Sequence, residues 1–240
     1  MKNTVPVTYT LKSADVDLLI DLRFDQKDFS LLDPPTSDND WTWLSCNKCS
    51  HCPLSEEQFP QCPLANAIDV VISKLHAVLS HERIQATATF RNRTVCASVS
   101  VQEAVSSLLG LIIPASGCPH LVYFRPLCRF HQPFATVEET IFRSTSMFLL
   151  AQYFLNRKNG SIPANLNRLE TIYGNVHTVN HYICRRLRQA SRNDCSVNAM
   201  VILDMFTLAI QSAIKHNLKQ LAPYFSIYNE APALSVAKSE

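Results

Sequence analysis

Residues 46–62 hold four cysteines in a pattern few folds can absorb by accident. The segment reads Cys46-x2-Cys49-x2-Cys52-Pro53-Leu54, then seven residues, then Cys62-Pro63-Leu64. Pro53 and Pro60 argue against a continuous helix, because proline removes a backbone donor and clashes with the preceding turn. The run His51-Cys52-Pro53-Leu54 is echoed by Gln61-Cys62-Pro63-Leu64. A third Cys-Pro pair stands at Cys118-Pro119, just before His120. Random placement at this composition gives roughly half of one such pair.

The spacing has a chemical reading. Two thiolates must reach one ion with bonds of roughly 2.3 Å, and a Cys-x2-Cys turn points both sulfurs to one side of a tight loop. The remaining ligands then come from elsewhere in the chain. Cys49, Cys52, Cys62 and Cys118 are the expected ligands, with Cys46, His51 and His120 in reserve. Ligand identity alone does not separate zinc from an iron–sulfur cluster. The triplet is also similar to the ferredoxin cluster pattern, except that nine residues rather than three precede the last cysteine. Reduced thiols packed as small hydrophobes, or a redox disulfide, are the competing readings. Nine cysteines is an odd number, and no apolar stretch follows Met1 as a secretory leader would require. Both points favour reduced thiols and a cytoplasmic location.

Charge names no partner. The net charge of +2 lacks the basic excess that phosphate contacts call for, so nucleic acid is not expected. The uncharged run 104–124 is long enough to span a bilayer, but Pro114, Gly117, Pro119 and His120 interrupt it. A buried helix ending in a loop is expected there, and no membrane. A protein partner is left open.

Hydrophobic periodicity supplies the architecture. Residues 5–11 and 16–24 alternate as a β-hairpin, and 84–90 with 94–101 as a second. Residues 31–40, rich in Asp, Pro and Ser, form a loop that Trp41 and Trp43 anchor to the core. Residues 65–79 carry Ile68, Val71, Ile72, Leu75 and Leu79 at helical spacing. A helix over 102–113 is stopped by Pro114. Thr136 and Glu139 form a capping box ahead of 137–156, an apolar stretch expected to be a central buried helix. A short helix over 166–173 ends at Gly174, and another covers 176–190. A last helix, capped by Asp194 or Ser196, runs to about residue 221. The expected class is α+β: a small antiparallel sheet of two hairpins with a helix, then a C-terminal helical bundle. Residues 1–135 make the α+β region and 136–228 the bundle, together one compact unit.

Two other polar groupings stand out. Arg125, Arg129 and His131 precede the capping-box helix, whose first turns bear Glu138, Glu139 and Arg143. As a site, the arginines would clamp an anionic small molecule and His131 or Glu139 would move a proton. As structure, they would be a salt-bridge network joining loop to helix. His177, His181 and Cys184 share one helix face, a weak metal signal beside the apolar stripe Val176, Val179, Ile183 and Leu187. Arg185, Arg186, Arg188 and Arg192 suggest a solvated basic face, and a buried Asp204 would need Arg143 or Arg186 as partner. No glycine-rich phosphate loop, serine nucleophile motif or His-Glu-x-x-His occurs.

The set Cys49-x2-Cys52-Pro-Leu, Cys62-Pro, Ser116-Gly-Cys118-Pro, Arg125-Pro126-x2-Arg129-Phe-His131-x-Pro133-Phe-Ala and Glu138-Glu139-Thr-Ile-x-Arg143 resembles an uncharacterised bacterial family, a domain of unknown function. The likeness covers residues from about 41 to 204. It implies that Cys49, Cys52, Cys62, Cys118, Arg129 and His131 belong to the shared pattern, and that the setting is a bacterial cytoplasm. No activity comes with it.

Overall fold

The structure, a computed structural model, describes residues 3–34, 36–75, 79–160, 165–190 and 194–230. Strands β1 (Thr4–Lys12), β2 (Asp17–Asp25), β3 (Arg83–Phe90) and β4 (Arg93–Ser100) form one antiparallel sheet in the order β2-β1-β3-β4. The two hairpins join through β1 and β3, with Tyr9 opposite Ile20 on one side and Ala88 on the other. Period-two alternation puts Val7, Tyr9, Leu11, Ile20, Leu22, Phe24, Ile84, Ala86 and Ala88 on the buried face. Each large aliphatic side chain so buried contributes about 1.5–3 kcal/mol.

Helices α1 (Pro63–Ile72) and α2 (Val101–Ala115) are packed together, and α2 reaches the sheet. A short helix α3 (Arg125–Arg129) leads to α4 (Val137–Asn159), α5 (Asn167–Ala190), α6 (Cys195–Lys215) and a final turn α7 (Ser226–Glu230). The class is therefore α+β with a helical C-terminal region. One buried cluster runs from the sheet through α2 to α5 and α6, so both regions share a core. Helix α6 is long and apolar enough to cross a membrane by length and composition. Here it lies along α5 and α2.

Several sequence expectations need correction. Pro114 does not stop α2 but sits inside its last turn. A proline there leaves the carbonyl four residues back without its helical donor. That carbonyl belongs to Gly110, and the buried Cys128 thiol approaches it at 3.9 Å. The N-terminus of α2 is fixed by a capping box between Ser100 and Glu103. Gly174 does not end a helix: α5 is continuous through it. Gln211 of α6 lies 3.7 Å from where a Cβ would stand, an ordinary contact distance. Helix α1 ends at Ile72, and Leu79 is exposed. Part of the longer helix expected here falls on residues 76–78, outside the described set. Trp41 is buried, whereas Trp43 is exposed.

The largest correction concerns α4. Its capping box is present, but it is not a buried central helix. Ser144, Thr145 and Gln152 face inward beside Ile141 and Phe148, while Phe142, Leu149, Leu150, Tyr153 and Phe154 are exposed. Two of the polar inward groups have partners, one within α4 and one on α5. Thr145 donates back to Ile141 O at 2.8 Å, and Ser144 and Tyr173 share a 2.5 Å hydroxyl hydrogen bond. Overall apolarity could not show which face turns inward.

Candidate metal centre

The cysteine segment is a loop pinned at its base. Leu44 N–H donates to Pro60 O at 2.8 Å, Cys62 N–H donates to Thr42 O at 2.8 Å, and Trp43 forms a β-bridge with Gln61. Inside the loop, Cys52 N–H donates to Cys49 O at 3.0 Å, which closes the Cys-x2-Cys turn. Asn47 has φ of +43°, a left-handed conformation that asparagine tolerates better than most residues. Cys62 then occupies the N-cap position of α1, with Pro63 at its first turn.

Cys118 arrives from a distant part of the chain. Gly117 has φ of +94°, where an L side chain is strained, and a Cβ built there would lie 3.7 Å from Pro63 Cβ. This turn sets residue 118 beside residue 62. Next to it the rings of His51 and His120 are stacked, 3.9 Å between centroids. His120 Nε2 bonds His51 O at 3.0 Å, and His51 Nε2 bonds Asn175 O on α5 at 3.2 Å.

The electrostatics show which sulfurs are neighbours. Burial pushes the Cys49 thiol up to about 12, and the charges of Cys62 and Cys52 push it further in the same direction; Arg186 opposes them. Burial likewise pushes Cys118 up to about 12, with Cys62, Cys49 and Cys52 adding to it. Cys49, Cys52, Cys62 and Cys118 thus occupy one neighbourhood, although residues 52 and 118 are far apart in sequence. As the side chains stand, no group of three or more His, Cys, Asp or Glu among the described residues is arranged to hold a metal ion. Cys46, Cys49, Cys52, Cys62 and Cys118 are free thiols. Cys46 turns elsewhere, its sulfur 3.9 Å from Gln189 Oε1. The imidazoles of His51 and His120 are engaged with each other and with backbone carbonyls. His51 is held below the usual histidine range, first by burial and then by His120.

Arg186 is the residue that sequence reasoning misplaced. It is not on a solvated face: it is 1% exposed, the largest fully buried side chain among the described residues. Its guanidinium donates to Trp41 O at 2.9 Å, Trp43 O at 2.6 Å and Leu44 O at 3.2 Å, and so holds the start of the cysteine loop against α5. It forms no ion pair with any described carboxylate, and its Nε lacks a partner. The signal was available, because position 186 falls seven after Val179 and three after Ile183, on the apolar stripe.

Residues of the other groupings have partners of their own. Arg125 pairs with Asp28 at 2.9 Å, Arg129 lies over the Phe29 ring, and Glu139 is committed to the Thr136 cap and to Gln132. His131 is buried against Tyr9, with Nε2 2.7 Å from the phenol oxygen. Burial, then the charges of Arg143 and Arg93, push its pKa down to about 3. His177 bonds Asp204 at 2.9 Å and Asn180 donates to the same carboxylate at 3.1 Å, so neither Arg143 nor Arg186 is its partner. His181 is exposed and Cys184 buried.

An α+β chain with a pinned cysteine loop and a fourth cysteine delivered by a distant turn defines the class. The chain belongs to the family described as "Domain of unknown function (DUF6901)", whose model matches residues 7–226. No curated protein and no solved structure matches.

Proposed function

We propose that this is a cytoplasmic, metal-binding protein whose Cys49, Cys52, Cys62 and Cys118 ligate zinc or an iron–sulfur cluster, in a structural or regulatory role. The observation that carries the reading is the convergence of these four thiols from two distant segments. Reduced thiols packed only as small hydrophobes have no reason to gather where Cys52 and Cys62 push the Cys49 and Cys118 thiols upward. A divalent cation reverses that penalty by binding the thiolates and releasing their protons.

Arg186 supports the same reading. An arginine buried without a carboxylate is costly. A tetrathiolate zinc site carries net negative charge, which a neighbouring guanidinium offsets. Closing the sulfurs onto one ion requires side-chain movement within the loop, which is braced at its base and free of helix. A centre so placed would tie loop 46–62, the start of α1 and the turn at 116–120 into one unit. Metal loss or oxidation would loosen them together.

The test is metal analysis and an absorption spectrum of the full chain purified without oxygen. The reading expects one zinc per chain, or iron with sulfide-to-iron absorption bands. A colourless preparation nearly free of zinc and iron would overturn it.

A further inference from the structure

Away from the cysteine loop, α2, α4 and α6 enclose a cavity of about 520 Å³. That is within the range of small-molecule sites. It exists because α4 is braced by α6 and α3, and because Gly110 on α2 presents no side chain to the wall. Leu121, Phe124, Leu127, Leu203, Phe206 and Ile210 make the lining largely apolar. Val137, Gln132 and Met205 also line it and are exposed, which marks the mouth.

Among the described residues, two polar groups on the wall can meet a ligand: a hydroxyl without a partner and a guanidinium without a carboxylate. Ser106, on α2, is 2% exposed and its hydroxyl has no hydrogen-bond partner. A buried hydroxyl without a partner costs about 1–3 kcal/mol unless something supplies one. Arg143, on α4, is half-buried and donates from Nη2 to Leu127 O at 3.2 Å and Phe130 O at 3.1 Å. No described carboxylate lies within ion-pair distance of it. The one carboxylate on the wall, Glu103, is committed to capping α2 through Ser100. The wall therefore offers a cation and a hydroxyl to an acceptor, and hydrocarbon surface to the rest of the ligand.

We propose that this cavity binds a single-chain carboxylic acid, its carboxylate paired with Arg143 and its hydrocarbon tail along the α2 and α6 walls. This assignment is independent of the metal centre and needs no chemistry at His131.

Calorimetric titration of the full chain with dodecanoate and, in parallel, dodecanol tests it. Saturable one-to-one binding of dodecanoate is expected. Arg143→Gln should weaken dodecanoate about tenfold or more, the worth of a charge-assisted hydrogen bond, and leave dodecanol within about twofold. Thr140→Trp, on the α4 wall, should abolish binding of both. Leu203→Trp does the same from α6 should the first variant melt early by near-ultraviolet circular dichroism. Absence of saturable dodecanoate binding overturns the proposal. So does an Arg143→Gln variant that loses acid and alcohol equally, or blocking variants that fold and still bind.

Discussion

Replacing Arg186 by methionine separates an arginine that merely fills space from one that holds the cysteine loop. The change keeps most of the volume and apolar stem but removes every guanidinium donor. Trp43 O keeps one donor, the N–H of Cys46 at 3.1 Å. Trp41 O and Leu44 O lose the contacts at 2.9 and 3.2 Å. Each carbonyl left unsatisfied in the interior costs about 1–3 kcal/mol, which sums to about 2–6 kcal/mol. Removing a buried charge without a carboxylate partner returns part of this. A net loss of about 2–4 kcal/mol is expected in the metal-free, reduced protein, read from urea unfolding with chelator present. Loaded with zinc, the variant should show a larger deficit, because the anionic centre has also lost its neighbouring positive charge. A variant within about 0.5 kcal/mol of the parent in both states would refute the reasoning.

The remaining predictions are smaller in scope. Gly117→Ala forces an L side chain into φ of +94° and should destabilise the chain by about 1–3 kcal/mol while lowering zinc affinity, measured by competition with a chromophoric chelator. Thr136→Ala removes the side-chain half of the α4 capping box and should cost about 1 kcal/mol in thermal unfolding. Leu150→Gln and Phe154→Gln, on the exposed face of α4, should each lie within about 0.5 kcal/mol of the parent, whereas a buried helix would lose several times that. His131 is held neutral in the fold, so below 6.5 the unfolded chain takes up a proton that the folded one refuses until about 3. Stability from this residue is complete above 6.5 and falls as pH drops through that window. His131→Gln should flatten that acid limb in an unfolding titration.

Both hairpins were legible because period-two alternation and short polar turns act locally: Tyr9 and Ile20 announce their face by themselves. The capping box at Thr136 was legible for the same reason, since it needs only two side chains three residues apart. Tertiary choices were not. Pro114 reads as a stop until the Cys128 thiol is seen beside the Gly110 carbonyl it leaves free, and Gly174 reads as a stop until α6 is seen packed against it. The inward face of α4 carries Ser144, Thr145 and Gln152, an arrangement that hydrophobicity alone reverses. At the candidate site, Cys49, Cys52 and Cys62 announced themselves by spacing. Cys118 was found through its proline and now stands beside them because of Gly117. Arg186 was hidden by Arg185 and Arg188, which share its charge but are exposed, while Arg192 lies outside the described residues.

X-ray absorption at the metal edge of the anaerobically purified full chain, repeated on Cys118→Ser, bears most directly on the four-thiol centre. The account predicts a shell of sulfur at about 2.3 Å that loses one sulfur in the variant. A shell of nitrogen and oxygen, or a sulfur shell unchanged when Cys118 is gone, would contradict it.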